Sequence, residues 1–433
     1  MRINSIKIDK LFEIFDYTIS FGEKENVLII TGPNGFGKTM LLNVIFSLFN
    51  RKFLFFHKLV FETITFLLDN NVRITITKTK EKEKPIVRFV FYQNEAEIES
   101  FEYSNKLETS IERNIERYLP VRRITPDSWI DIRTDKILKT DDLLNEYIDQ
   151  LPEDVSKNIL RIKSPLANEI LDSIQVHLIK EQRLFTKIQN TERKYREDSE
   201  QTVMIETIQT YAKVLKQVIA TYSQQSFIQT QTLDSSYPDR LINETTLMTE
   251  DEYKLKFNTL KVKQEKLIEF DLYQGKQKFL AYSQDDSKAL SVYIKDFEQK
   301  LSVFDGLVEK LELFTTILNE RRFTFKTIQI KRDNGFVFIT NKGKELELNQ
   351  LSSGEQHEVV LLYELIFNVK PDTLVLIDEP EISLHVTWQK AFLNDLLKII
   401  QIQNIQVLVA THSPSIINGR WDLVYNLEKE DNK

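Results

Sequence analysis

Apolar residues at Ile3, Ile6 and Ile8, and then at Phe15, Tyr17, Ile19 and Phe21, alternate with polar ones and predict two half-buried strands joined by a turn. The run Val27-Leu28-Ile29-Ile30 lacks that alternation and reads as a buried strand. Met40 to Ile45 follows at helical spacing. Val60 to Leu68, Val72 to Thr77 and Ile86 to Tyr92 are rich in β-branched and aromatic residues and are parted by polar turns, which predicts a small antiparallel sheet beside the buried strand. Between the last two, Lys78, Lys80, Lys82 and Lys84 read as a solvated hairpin tip.

From about residue 101 the pattern changes to helical stretches rich in Gln, Lys, Glu and Leu, with no proline between Pro165 and Pro238. A short strand, Gln175 to Ile179, interrupts them and ends in Lys180-Glu181-Gln182-Arg183. Ile208, Tyr211, Leu215, Val218 and Tyr222 recur at steps of three and four, as do Phe304, Leu307, Leu311, Phe314 and Leu318. Thr249 with Glu252 forms a capping box for a helix that carries Tyr253, Phe257, Leu260 and Leu267 on one face. These stripes predict helices packed as an antiparallel bundle or short coiled coil. Strands return at Phe323 to Ile330 and Phe336 to Thr340, a hairpin by its Asn334-Gly335 turn. Leu351-Ser352-Ser353-Gly354-Glu355-Gln356 opens a helix. Two more apolar runs, Thr373 to Ile377 and Ile405 to Ala410, end in Asp378-Glu379-Pro380-Glu381 and Thr411-His412-Ser413-Pro414.

The chemistry gathers at those strand ends. Thr31-Gly32-Pro33-Asn34-Gly35-Phe36-Gly37-Lys38-Thr39 is a complete G-x-x-x-x-G-K-[ST] phosphate loop between a strand and a helix, the context such a loop requires. Glycines there let backbone N–H groups converge on a phosphate at the positive end of the helix. Gly32, Asn34, Gly35, Gly37, Lys38, Thr39 and Met40 are therefore the candidate nucleotide contacts, with Lys38 reaching the β and γ phosphates and the Thr39 hydroxyl ligating Mg²⁺. Asp378 can hold the same Mg²⁺, Glu379 can orient or deprotonate the attacking water, and His412 can sense the γ-phosphate. The expected cofactors are ATP and Mg²⁺.

Composition narrows the class. At 433 residues, 41% hydrophobic and 28% charged, the chain can bury a large core and hold more than one domain. It has no cysteine, so neither a disulfide framework nor a thiolate metal site is available. No apolar stretch approaches the roughly 20 residues of a membrane span and the start lacks a secretory core, which together predict a cytoplasmic protein with no membrane partner. A net charge of −7 argues against coating nucleic acid everywhere but leaves a local basic groove open.

GPNGFGKT at 32 to 39, LSSGEQ at 351 to 356, LVLIDEPE at 374 to 381, Ser383-Leu384-His385 and ATHSP at 410 to 414 together resemble the ABC-type ATPase heads of the RecF, SMC and overcoming-lysogenization-defect group. The resemblance implies an α/β fold: a P-loop head of mixed sheet and helices with an antiparallel β subdomain and a large helical insertion. It places the head at 1–100 and 322–433 and the insertion at 101–321, with a Q-loop strand near 174–183. It also implies that Gln182 touches Mg²⁺, and that Ser353 and Gly354 bind the γ-phosphate held by an opposite subunit. The partner would be a second copy, with ATP sandwiched between heads in a homodimer or higher homo-oligomer.

Within the group the chain looks most like ATPase subunits of bacterial phage-defence systems such as Septu, PARIS and retron-associated operons. It ends about twenty residues after His412, which leaves no room for the C-terminal nuclease domain of the overcoming-lysogenization-defect enzymes. The five histidines form no nuclease-like cluster. The expected function is thus an ATP-hydrolysing dimeric switch that controls a separately encoded effector, a nuclease or toxin. The alternative is a RecF- or SMC-like ATPase of DNA repair or recombination, which needs a basic lining on the insertion. Arg113, Arg117, Arg122, Arg123, Lys187, Arg193, Lys194 and Arg196 are candidates for that lining, although acidic residues are interleaved with them. A transporter subunit fits poorly, since over 200 residues separate the phosphate loop from LSSGEQ.

Overall fold

Five strands, all parallel, lie side by side in the order Gln175–Ile179, Thr373–Asp378, Gln406–Ala410, Val27–Thr31 and Val424–Asn426. The computed structural model describes residues 1–21, 26–81, 84–103, 115–116, 118–125, 128–132, 136–139, 143, 147, 162, 164–181, 183–188, 203–275, 280–321, 323 and 325–429. Successive side chains of a strand point to opposite faces, so these uninterrupted apolar runs feed two cores at once. Ile29, Val375, Ile377, Val407 and Val409 face one core, and Ile30, Leu374, Leu376, Leu408 and Ala410 the other.

The second of these cores is closed by the helix Lys38–Phe49, through Leu41, Leu42, Val44 and Ile45, and by a six-stranded antiparallel sheet. That sheet joins the N-terminal hairpin Ile3–Leu11 and Phe15–Ser20 to Thr63–Leu68, Val72–Glu81, Lys84–Gln93 and Ala96–Glu102. The first core is closed by the helices Ser353–Tyr363 and Val386–Gln403 and by the helical region. The expected α/β head with an antiparallel β subdomain is thus present, but its parallel and antiparallel strands lie in separate sheets and not in one mixed sheet. Among the described residues no helix is long and apolar enough to cross a membrane.

The helical region consists of Thr207–Asn243, Glu250–Glu269, Ser287–Ser302 and Asp305–Arg321. Its stripes pack as anticipated: Leu215, Tyr253, Leu267, Leu311 and Phe314 are fully buried, and Thr249 and Glu252 form both halves of the capping box. These side chains belong to the same apolar core as Val375 and Ile377 of the parallel sheet. The first helix runs through Pro238, and near that proline Arg240 donates to the Leu233 carbonyl and pairs with Asp296 of the third helix.

The hairpin Lys326–Lys331 and Gly335–Thr340 fixes where this bundle meets the head. Gly335 has φ +78°, and a Cβ there would fall 2.0 Å from the carbonyl oxygen of Ala212 on the long helix. Gly335→Ala therefore forces either the turn or the helix to move. Overpacking of this kind costs about 1–3 kcal/mol, so a clear drop in Tm is expected, and an unchanged Tm would contradict this seating.

Three readings need correction. The stretch after residue 101 is not simply helical. It holds a three-stranded antiparallel sheet, Val121–Thr125, Ser128–Asp131 and Ile137–Lys139, around fully buried Trp129, and a hairpin of Phe185–Ile188 with Val203–Glu206. Strands of three to five residues are too short to show a period against a Gln- and Lys-rich background. Phe53–Lys58 is a short helix where no element was anticipated. Lys78 is no solvated tip: its Nζ donates to the carbonyls of His57 (2.7 Å) and Leu59 (2.5 Å), tying the sheet to that helix.

Candidate active site

The phosphate loop leaves the strand Val27–Thr31 and is propped from below by the N-terminal hairpin. Tyr17 Oη donates to the Phe36 carbonyl at 2.9 Å, the rings of Phe15 and Phe36 lie 5.4 Å apart, and a Cβ on Gly37 would come 3.3 Å from Leu11 Cδ2. Gly35 and Gly37 hold φ +93° and +78°, a region only glycine enters freely. Asn34 and Gly35 are exposed, and the space a Gly35 Cβ would take is open. The helix Lys38–Phe49 starts with no side-chain cap, so its first N–H groups, including that of half-buried Met40, are left for an anion.

Lys38 is 5% exposed, and its Nζ donates to the carbonyls of Gly32 (2.8 Å) and Pro33 (3.2 Å). The ammonium is thus folded back over its own loop, and phosphate must draw it off these carbonyls. Beside it Thr39 Oγ1 donates to Asp378 Oδ1 at 3.2 Å, joining residues 339 positions apart. Burial pushes the Asp378 carboxyl up to about 6; the Thr39 hydrogen bond opposes that, and the charges of Glu379 and Glu181 add to it.

Crowded negative charge next to two hard oxygen donors fits Mg²⁺, which takes few protein ligands and completes its shell with water and phosphate. Among the described residues Thr39 Oγ1 and Asp378 Oδ1 are two oxygen donors that the structure brings together at this point. A carboxyl whose folded pKa is raised loses stability for the fold as pH climbs through that value. Asp378→Asn removes that cost. The nucleotide-free variant is expected to match or exceed the wild-type Tm at about pH 8, with the gap closing towards about pH 4, while Mg²⁺ no longer tightens nucleotide binding. A variant clearly less stable than wild type at the higher pH would contradict the burial argument.

Glu379 follows Asp378 at φ +43°, its N–H donating to the Ala410 carbonyl at 2.9 Å, and this left-handed turn brings its carboxylate to 3.8 Å from His412 Nδ1. A nearer carboxylate holds the same histidine. Glu381, 6% exposed, accepts through Oε1 from Thr411 Oγ1 (2.6 Å) and the His412 N–H (2.9 Å), and lies 3.1 Å from His412 Nδ1. Behind it, buried Arg183 donates from Nη2 to the Pro380 carbonyl (3.2 Å) and from Nε to His357 Nδ1 (3.3 Å). Burial lowers Arg183 to about 10, against the charges of Glu358 and Glu381 that raise it. His357 is pushed down to about 4 by burial and by Arg183, as a ring that accepts from a guanidinium must be.

The structure thus gathers Lys38, Thr39, Asp378, Glu379 and His412 at the carboxyl ends of three adjacent parallel strands, the usual ligand edge of such a sheet. It does not add Ser353 and Gly354 to them. The helix they open packs in the core on the far side of the sheet from the phosphate-loop helix. Ser352 and Glu355 form its capping box, Glu355 pairs with Lys326 at 2.9 Å, and Ser353 stands exposed on the first turn. A Cβ on Gly354 would lie 2.6 Å from the Ser383 carbonyl, so glycine is also what lets this helix start rest on the loop after the acidic strand. Gln182 lies outside the described residues.

Glu381, Thr411 and Arg183 received no role from the sequence. The signal for Glu381 was a second glutamate just beyond Glu379, held apart from it by Pro380. Arg183 ended the polar tail of a strand, with nothing to show that it turns inward.

Comparison with known proteins bears on this geometry. The alignments to curated relatives are partial. Over 115 residues the chain is 36% identical to "Protein ea59" of Escherichia phage lambda, 26% of this chain and 22% of that protein. Over 170 residues it is 25% identical to "Retron Ec83 probable ATPase" of Escherichia coli, 34% of this chain and 30% of that protein. The chain therefore spans less than a third of the length of either relative. An SMC head domain from Thermotoga maritima aligns over 98% of this chain and 94% of its own at 11% identity, with a TM-score of 0.33. An Smc head domain with an extended coiled coil from Pyrococcus furiosus aligns over 96% and 91% at 12% identity, with a TM-score of 0.34. A family model described as "AAA ATPase domain" matches residues 1–417, nearly the whole sequence, and by that match the chain belongs to the AAA ATPase domain family.

Proposed function

We propose that this chain is an ATP-hydrolysing switch whose two heads close on a pair of Mg²⁺·ATP molecules, and whose closed state controls a separately encoded effector in bacterial antiphage defence. The observation that carries the dimer is the separation of the signature from the phosphate loop: Ser353 and Gly354 start a helix in one core, while Lys38 and Thr39 start a helix in the other. Ser353 is exposed on the first turn of that helix, where a hydroxyl and a helix N-terminus can meet a phosphate. That phosphate is the γ-phosphate of a second copy, which makes each site composite.

Roles follow from chemistry. The loop N–H groups and Lys38 bind phosphate; Thr39 and Asp378 hold Mg²⁺, which supplies charge neutralisation of the β and γ oxygens when bound. Glu379 takes the proton of the attacking water and His412 contacts the γ-phosphate. Gln182 is the Q-loop ligand in this reading. Likeness to a retron's probable ATPase over part of the chain supports the defence role. The DNA-clamp reading gains no support: of its basic candidates only Arg122 and Arg123 have described side chains, and Arg123 donates to the Thr125 carbonyl.

Ser353→Arg tests the composite site. It sets a bulky cation where a small hydroxyl must meet phosphate across the interface, while the protomer's own phosphate loop is untouched. ATP affinity is expected within about threefold of wild type, and turnover to fall about 100-fold or more. Wild-type turnover in this variant would end the sandwich reading and leave Leu351 to Gln356 as a plain helix start.

A further inference from the structure

The carboxylate in closest contact with His412 is not Glu379 but Glu381, and nothing in the roles above uses it. Its Oε1 accepts from two donors of one short segment, the Thr411 hydroxyl and the His412 N–H, and lies 3.1 Å from Nδ1 of the His412 ring. One anchor on the backbone and one on the ring of the same residue leave the imidazole little freedom to rotate. The ring itself stays half exposed at the strand edge, so it is held without being buried.

A carboxylate in such a place is costly unless something answers its charge. Glu381 Oε2 is buried and has no hydrogen-bond partner, and Arg183 Nη1 is buried with none either. Among the described residues Arg183 donates to the carbonyl of Pro380 and the ring of His357, and the nearby charges of Glu358 and Glu381 both act on it. Arg183 comes from the end of the strand Gln175–Ile179, at the entry to the helical region, and Glu381 from the loop after Asp378.

We infer that Glu381 is a positioning residue for ATP hydrolysis: it fixes the ring of His412 for the γ-phosphate, and Arg183 is the counter-charge that lets it do so while buried. The inference rests on the hydrolytic reading given above. It separates two things a buried carboxylate can supply, reach to His412 and charge for Arg183.

Substitutions at Glu381 distinguish these. Glu381→Gln keeps the reach, because its amide oxygen can accept from Thr411 and His412, but loses the charge. Glu381→Asp keeps the charge near Arg183 and falls one methylene short of His412. With the full chain, kcat, KM for Mg²⁺·ATP and Tm are measured for both, and for Glu381→Ala, His412→Ala and the double alanine variant. Glu381→Asp is expected to lose about 100-fold in kcat, the cost of a misplaced group, with KM within about twofold and Tm close to wild type. Glu381→Gln is expected to lower Tm but keep kcat at least about tenfold above Glu381→Asp. The double alanine variant should be no slower than His412→Ala alone, because one residue acts through the other.

The reverse order, with Glu381→Asp near wild type and Glu381→Gln slow, makes Glu381 a structural counter-ion and overturns the inference. So do losses that multiply in the double variant. Should Glu381→Ala fail to fold, the Asp and Gln order still decides. A wild-type chain with no ATP turnover, or a His412→Ala chain at the wild-type rate, removes the hydrolytic reading first and this inference with it.

Discussion

Lys38→Ala is expected to lose ATP affinity by about 100-fold or more, the cost of taking one partner out of a desolvated charge interaction. The sequence places this lysine on the phosphate loop, and the structure adds where its ammonium waits. It is buried and bonded to the carbonyls of Gly32 and Pro33, in the loop that receives the β and γ phosphates in the proposed mechanism. Two consequences follow. Removing the side chain takes away the phosphate contact, and it also leaves two loop carbonyls without their donor. The variant should therefore bind poorly and show some loosening of the loop without nucleotide, with the rest of the fold intact. Calorimetric titration with ATP checks the first part. Affinity within about threefold of wild type would mean that the ammonium stays on its own carbonyls and never reaches phosphate.

How much could be read before any coordinates depends on how local the cause is. The strands ending in Thr31, Asp378 and Ala410 were legible because a parallel strand covered on both faces shows as an unbroken apolar run, and polar residues just beyond it must sit at the sheet's edge. The capping box at Thr249 was legible because both partners lie within one turn. Contacts between distant parts were not. Arg183 reaches the Pro380 carbonyl across 197 positions, beside Glu381, and neither residue type announces burial. Lys78 looked like one of a row of surface lysines, since nothing nearby told of the carbonyls at the end of an unexpected phenylalanine-rich helix. Gly335 was readable as a turn glycine, but not as the point where the long helix presses on that turn. The same limit applies at the candidate site. The pairing of Thr39 with Asp378 joins two motifs that the sequence shows, at the ends of strands one apart in the sheet, whereas the grip of Glu381 on His412 is visible only once both strand ends are in place.

Glu379→Gln is the other large expected effect. Glu379 stands free of the Thr39–Asp378 pair, reaching towards His412 from a left-handed turn, so an amide in its place leaves the metal donors and the phosphate loop as they are. What goes is the group proposed as the base. Loss of a general base slows turnover by about 10²- to 10⁴-fold, while ATP and Mg²⁺ still bind. If each γ-phosphate is gripped by Ser353 and Gly354 of a second chain, nucleotide that cannot be cleaved holds the two chains together. The direct measurement is the mass of Glu379→Gln in solution, by light scattering, with and without Mg²⁺·ATP, beside Lys38→Ala as the control that cannot bind. The account predicts that saturating Mg²⁺·ATP doubles the mass of Glu379→Gln relative to its nucleotide-free state, and leaves that of Lys38→Ala unchanged. A Glu379→Gln chain that is saturated with ATP yet keeps its nucleotide-free mass contradicts the composite site.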